Sequence, residues 1–178
     1  VAVTGVQTCA LPIFENADQA DTVIVNTCGF IEDSKRESID TVLALSKLKK
    51  KGKLQNLVVA GCLTQRYQDD LVEGLPEADL FVGSGEFQNI AKILKGKKEG
   101  SKEKRFFHLP TYLQEDATPR VSSGPRHRAY LKISEGCKKR CAFCAIPLIR
   151  GNLQSRSLTG IVSEAKLLVA GGDRKSKR

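Results

Sequence analysis

The chain has 178 residues, 40% of them hydrophobic, and a net charge of +9, so it has enough apolar content for one globular domain and part of another. It contains no run of eighteen apolar residues and no charged segment leading into a long apolar one, which excludes a predicted membrane span or secretory signal. Residues 1–90 hold 8 Lys and Arg against 13 Asp and Glu, whereas residues 91–178 hold 21 against 7. This asymmetry predicts two units. A basic unit suits nucleic acid or a ribonucleoprotein, although a solvated lysine-rich surface is the simpler interpretation.

The first predicted elements follow a segment without periodicity. Residues 1–13 match neither a helix nor a strand pattern and read as a non-native leader, so Cys9 is a poor candidate for any role. The β-branched run 22–27 predicts a buried parallel strand. A helix is expected over 31–51, with acidic residues first and lysines last, as the helix dipole favours. Its apolar stripe is expected to be Ile39, Val42, Leu43 and Leu45.

The same pattern then repeats. We expect strands at 56–61 and 80–82, helices at 65–74 and 86–94, and a tight turn at the Gly-Ser-Gly of 83–85. Alternating strands and helices predict an α/β fold with a parallel sheet. Cys28 and Cys62 directly follow two of the strands, so both are predicted at the carboxyl edge of the sheet, where open α/β folds place their sites.

A boundary is predicted next. Residues 96–127 are rich in Gly, Pro, Ser and charge, and we interpret them as a linker, with His108 and His127 as surface side chains. A strand over 128–133 should enter a cysteine-rich loop, and a helix is expected over 161–169. The predicted units are therefore a domain at 14–95, the linker, and the start of a second domain at 128–178. We expect the chain to be incomplete at both ends.

The cysteine-rich loop is the strongest chemical signal. Cys137, Cys141 and Cys144 are spaced C-x3-C-x2-C, and three thiols within eight residues indicate a metal site rather than a disulfide framework. Closed zinc sites and most iron–sulfur clusters use four protein ligands. Three ligands would leave one iron of a [4Fe–4S] cluster open for chemistry. The alternative is a non-catalytic zinc knuckle whose fourth ligand lies elsewhere.

The loop and its neighbours resemble a known family. The spacing, with Phe143 before the last cysteine, is similar to the radical S-adenosylmethionine (SAM) signature. The sequence around this loop, residues 130–150, resembles the methylthiotransferases, and so do residues 26–31, 60–63 and 118–120. The Gly-Phe-Ile after Cys28 favours the branch that modifies the twelfth small-subunit ribosomal protein over the tRNA-modifying branch. The implied fold is a Rossmann- or flavodoxin-like N-terminal domain followed by the first β/α unit of a truncated radical-SAM TIM-like barrel.

The resemblance also implies sites, cofactors and partners. Cys137, Cys141 and Cys144 would bind a [4Fe–4S] cluster that presents SAM, with Phe143 in the SAM vicinity. Cys28 and Cys62 would bind an auxiliary [4Fe–4S] cluster. The family's third auxiliary cysteine lies in a Gly-Cys-x-x-Asn motif that Cys9 does not match, so that ligand is expected to be missing.

The implied activity is transfer of a methylthio group to an aspartate of the ribosomal protein, in the cytoplasm and without a membrane. Sulfur and electron donors would be partners, and tRNA adenosine is the alternative substrate. No catalytic side chain is assignable beyond the cluster loop, and we expect this chain to be inactive alone.

Overall fold

The computed structural model describes residues 20–52, 54–111 and 129–170. The predicted leader with Cys9, the part of the linker with His127, and the basic end after Ala170 lie outside the described residues. In chain order the elements are β1 (Thr22–Thr27), α1 (Glu32–Lys50), β2 (Asn56–Gly61), α2 (Cys62–Gly74), β3 (Leu80–Gly83), a 3-10 turn (Phe87–Asn89), α3 (Ile90–Lys98), β4 (Arg105–Phe106), β5 (Ser134–Glu135), α4 (Ile146–Arg150), β6 (Gln154–Ser155) and α5 (Leu158–Ala170).

The centre of the molecule is a four-stranded sheet in the order β1-β2-β3-β4. All three pairings are parallel. The first pair is in register from Thr22 opposite Asn56 to Thr27 opposite Gly61. The predicted parallel α/β fold is therefore confirmed for the N-terminal half, and the three strands read from β-branched runs lie where the sequence placed them.

Both faces of the sheet are covered, which is why the central strands β2 and β3 are apolar at nearly every position. Alternate residues of β2 point to opposite faces. Leu57 and Val59 pack in one core with side chains of α1 and α2. Val58 and Ala60 pack in a second core with Ile90 and Leu94 of α3.

Helix α1 shows the charge pattern that predicted it. Glu32 and Asp33 lie in its first turn, and lysines occupy its last, so both ends suit the helix dipole. Gly52 follows with a φ of +75°, a left-handed conformation that favours glycine and ends the helix. The predicted stripe was wrong at Leu43, which is exposed, whereas Val42 and Leu45 are buried.

The sheet extends further along the chain than the sequence suggested. Helix α3 continues to Lys98, and Arg105–Phe106 forms the edge strand β4 beside β3. The Phe81 amide also donates to the Lys104 carbonyl oxygen, at 2.8 Å. Residues 96–98 and 105–106, which were assigned to the linker, are thus part of the N-terminal fold. As predicted, the His108 side chain is on the surface, where its Nδ1 lies 2.8 Å from Glu86 Oε1.

The second region, residues 129–170, differs from its prediction. The expected strand over 128–133 was wrong, since the described residues 129–133 form no strand and the short β5 begins at Ser134. Its partner β6 runs antiparallel to it. Helix α4, which was not predicted, follows the cysteine loop, and α5 begins at Leu158 rather than at 161. The described elements do not show the barrel, which stays a prediction.

A buried ion pair holds this second region together. Arg156 pairs with Glu164 of α5, and its Nη1 also donates to the Lys132 carbonyl oxygen at 2.8 Å. The two side chains are 3% and 10% exposed. The pair therefore links α5 to the segment that leads into β5.

None of the helices within the described ranges is both long enough and apolar enough to cross a membrane.

Candidate metal centre

Two of the predicted ligands, Cys28 and Cys62, meet at the carboxyl edge of the sheet. Thr27 and Gly61 are opposite one another at the ends of β1 and β2, and each cysteine is the next residue in its chain segment. Gly29, which follows Cys28, lets the two segments approach closely. A Cβ on Gly29 would lie 2.6 Å from the Cys62 carbonyl oxygen, which no side chain could tolerate without a shift. The predicted proximity of these cysteines at one sheet edge is confirmed.

The two thiols have different surroundings. Cys62 is buried and Cys28 is half-buried, with its amide donating to Ser38 Oγ at 3.3 Å. Burial raises the pKa of the Cys62 thiol, while the neighbouring Arg150 guanidinium acts in the opposite direction. Cys28 and Glu135 also raise this pKa, because a nearby negative charge disfavours a thiolate.

The other three predicted ligands lie on a loop that its own backbone closes. The Cys137 amide donates to the Gly151 carbonyl oxygen at 3.2 Å, and the Cys144 amide donates to that of Cys141 at 3.0 Å. Gly136 has a φ of +74°, and a Cβ there would lie 2.3 Å from the Asn152 carbonyl oxygen. The loop is therefore pinned at its base by the segment that follows α4.

The side chains of the cysteine loop differ in their exposure to solvent. Cys141 is exposed, whereas Cys137 and Cys144 are half-buried. Phe143 is 93% exposed. Its aromatic ring faces solvent at the position directly before Cys144.

The donor chemistry of the loop fits an iron–sulfur cluster. All five described cysteines are free thiols, and cysteine thiolates are the usual ligands of such clusters. Across residues 20–52, 54–111 and 129–170, no three His, Cys, Asp or Glu side chains converge in a metal-binding group. The structure thus brings Cys28 and Cys62 to one sheet edge, whereas the three thiols of the described cysteine loop are not gathered around one point.

Arg150 contacts Cys62 and also Glu135, which lies two positions before Cys137, and it was not among the predicted site residues. Its Nη2 donates to Cys62 Sγ at 3.3 Å, and its Nη1 donates to Glu135 Oε2 at 3.4 Å. Cys62 precedes Arg150 by 88 positions, so no sequence spacing indicates the contact. The available signal was a single arginine at the end of the segment that resembles the methylthiotransferases.

Residues 4–83 match the family described as "Uncharacterized protein family UPF0004", a stretch that includes both Cys28 and Cys62. The match begins inside the segment 1–13.

Several curated proteins are similar over most of the chain. The ribosomal protein uS12 methylthiotransferase RimO of Bdellovibrio bacteriovorus is 81% identical over 156 residues, which are 88% of this chain and 34% of that protein. The RimO of Geobacter sulfurreducens is 46% identical over 88% of this chain and 35% of its own length. That of Caldicellulosiruptor saccharolyticus is 45% identical over 90% of this chain and 36% of its own length. The chain spans about a third of the length of these relatives.

Proposed function

We propose, on the premise that this chain is RimO-like in sequence, that it forms part of a methylthiotransferase acting on ribosomal protein uS12. The observation that carries the proposal is the 81% identity to the Bdellovibrio protein of that name over 156 residues. The target atom would belong to an aspartate of uS12, and the reaction would take place in the cytoplasm. The alternatives, a tRNA adenosine substrate or a non-catalytic zinc module, gain no support from these relatives, since each is named for uS12.

In this proposal the loop thiols of Cys137, Cys141 and Cys144 hold one [4Fe–4S] cluster. When bound, such a cluster would supply the electron for reductive cleavage of SAM, while the protein would bind and orient the reactants and exclude water. The Gly136 and Gly151 backbone contacts fix the base of the loop, and Cys141 at its exposed side can turn toward a cluster without leaving a core. Phe143, whose ring is exposed, would lie in the vicinity of bound SAM.

Cys28 and Cys62 would supply two ligands to the auxiliary [4Fe–4S] cluster. Their support is the parallel register that places both at one sheet edge and the close packing of Gly29 against the Cys62 backbone. A third protein ligand for this cluster is not among the described cysteines. Sulfur and electron donors would be further partners.

The first test is assembly of the clusters. After anaerobic addition of iron and sulfide, we expect the chain to gain the broad visible absorption of a cubane cluster, and SAM to shift it. The triple variant Cys137→Ala/Cys141→Ala/Cys144→Ala should lose the SAM response. The matched control Cys28→Ala/Cys62→Ala should keep it. A colourless zinc form without a SAM response would contradict the proposal.

The second test is activity in a whole enzyme. The corresponding third of the Bdellovibrio protein is replaced by this chain from residue 20 onward, and a uS12 peptide is analysed by mass spectrometry for the methylthio group. We expect the chimera to modify the peptide and its Cys141→Ala variant to be inactive. Modification of tRNA but not of uS12 would show that the substrate is wrong.

A further inference from the structure

We propose that Arg150 is a positioning residue that fixes the Cys62 side of the sheet edge relative to the cysteine loop. The inference rests on the proposed function for its significance, because it concerns the placement of the two cysteine sites. The contact itself belongs to the protein without any metal. It is a polar bridge from the second region to the first.

The planar guanidinium of Arg150 forms the bridge, with one N–H donor directed to each of two acceptors. The guanidinium of Arg150 donates through Nη2 to Cys62 Sγ at 3.3 Å and through Nη1 to Glu135 Oε2 at 3.4 Å. A guanidinium holds its N–H groups in a fixed fork. One side chain can therefore set the relative position of the thiol and the carboxylate.

Glu135 is itself held in place. It ends β5, directly before Gly136 and the first loop cysteine, and its side chain is 11% exposed. Lys132 also pairs with Oε2, and the Gly136 amide donates to Oε1 at 3.3 Å. The carboxylate that receives Arg150 is thus tied to the entrance of the cysteine loop.

The helix that carries Arg150 is docked against α2 and the turn that follows β3. Ser84, in the turn after β3, donates from Oγ to the Ile149 carbonyl oxygen at 2.6 Å. This hydrogen bond is buried, and Ile149 is 0% exposed. Gln154 Nε2 adds a bond to the Pro110 carbonyl oxygen at 2.8 Å. Arg150 therefore starts from an anchored backbone position and reaches Cys62 from a fixed direction.

Hydrogen bonds to the sulfur of a ligand are a recognised means by which proteins orient that ligand and tune a bound metal. Here such a bond comes from the region that holds the other thiols. Loss of Arg150 would release the loop side of Glu135 and the Cys62 thiol at the same time. A lysine at this position would keep the positive charge. Its single ammonium group lacks the fixed fork of N–H donors with which a guanidinium holds two acceptors.

The test is hydrogen exchange of the metal-free chain followed by mass spectrometry. We expect Arg150→Ala to increase exchange in the peptides covering 134–151 and 28–31, and to leave α1 unchanged. Arg150→Lys should restore part of the protection. The control is Arg140→Ala, which removes an exposed arginine of the same loop. Wild-type exchange in Arg150→Ala at both peptides would overturn the proposal.

A double-mutant cycle separates positioning from a merely local effect. Cys62→Ala lies in the first region, so on its own it should increase exchange at 134–151 in the second. Combined with Arg150→Ala it should add little, because both changes remove the same contact. Fully additive effects would show that Arg150 and Cys62 act independently, which contradicts the bridge.

These measurements are made without metal, so they give the same answer whether or not the cluster forms. Failure of wild-type protein to assemble a cluster would count against the proposed function and leave the bridge intact. Conversely, normal assembly with additive exchange effects would preserve the function and refute the bridge.

Discussion

The region of the sheet and the region of the cysteine loop bury their apolar side chains in different ways. Residues 20–111 form two cores on the two faces of one sheet, with side chains such as Phe81 almost wholly enclosed. Among residues 129–170, Ile149 is the one large apolar side chain that is buried, and its carbonyl oxygen accepts a hydrogen bond from Ser84 in the turn after β3. Leu158, Leu167 and Val169 of α5 are exposed. The first region thus supplies its own core, and the second relies on a polar pair and on its contact with the first.

The largest expected effect tests this contrast directly. Phe81→Ala should destabilise the chain by about 3–5 kcal/mol, because a fully enclosed aromatic side chain leaves a cavity. Leu167→Ala, on exposed α5, should change stability by less than about 0.5 kcal/mol. Urea unfolding followed by circular dichroism measures both. Similar losses from the two variants would break the comparison.

The next effect concerns the polar pair of the second region. Glu164→Ala should cost about 3 kcal/mol in the stability of α5, because it removes the carboxylate from a nearly buried guanidinium. Exchange at the α5 amides should increase, while the amides of β2 stay protected. Lys166→Ala, at an exposed neighbouring position, is the control and should change neither. If β2 opens together with α5, the two regions are one cooperative unit.

A smaller effect is expected at the sheet edge that carries the cysteines. Gly61 has a φ of +113°, and a Cβ there would lie 2.6 Å from the Thr27 carbonyl oxygen. Gly61→Ala should therefore cost about 2 kcal/mol. Gly96→Ala, within α3 and with open space around it, should stabilise by about 1 kcal/mol. The sign of the two changes in urea unfolding is the readout, and a neutral Gly61→Ala would show that the edge is not tightly packed.

The smallest effect is expected in the reactivity of two thiols, Cys62 in the first region and Cys141 in the second, each measured in a metal-free single-cysteine variant. Burial raises the pKa of Cys62 above its ordinary value of 9.0, and alkylation requires the thiolate. The rate of its reaction with iodoacetamide should therefore begin to rise at a higher pH in the folded chain than in urea. In the folded chain, this rate should also be severalfold lower than that of exposed Cys141. The folded state keeps this proton longer, so its stabilising contribution is lost as pH rises above 9.0. Identical pH profiles for folded and unfolded Cys62 would contradict the burial effect.

The sequence was a good guide where structure follows from local pattern. β-Branched runs identified β1, β2 and β3, and the positions of Cys28 and Cys62 after two of them placed both cysteines at one edge. The strands β4, β5 and β6 were not predicted, because a strand of two residues is too short to show an alternating pattern. β4 lies among lysines, and β5 pairs with a strand twenty residues later. Helix α4 is five residues long and contains Pro147, so it also lacked a detectable pattern.

The candidate site shows the same limit. The cysteine spacing identified the loop thiols, and the strand pattern identified Cys28 and Cys62. The contact between these groups depends on how α4 docks against the turn at Ser84, and on the reach of a side chain 88 positions beyond Cys62. Such contacts arise from tertiary packing, which a single sequence does not encode in any spacing. The exposure of Leu43 has a similar cause, because the packing of α1 on the sheet decides which edge of its stripe is covered.

The order of the strands has a consequence for how the chain is made. In β1-β2-β3-β4 each strand after the first pairs with the one synthesised just before it, and one α-helix separates each pair. A nascent chain that leaves the ribosome from its N-terminus therefore finds each pairing partner already outside the exit tunnel. The sheet can grow in the direction of translation, so both sheet-edge cysteines emerge, and their strands can pair, before the cysteine loop has been synthesised.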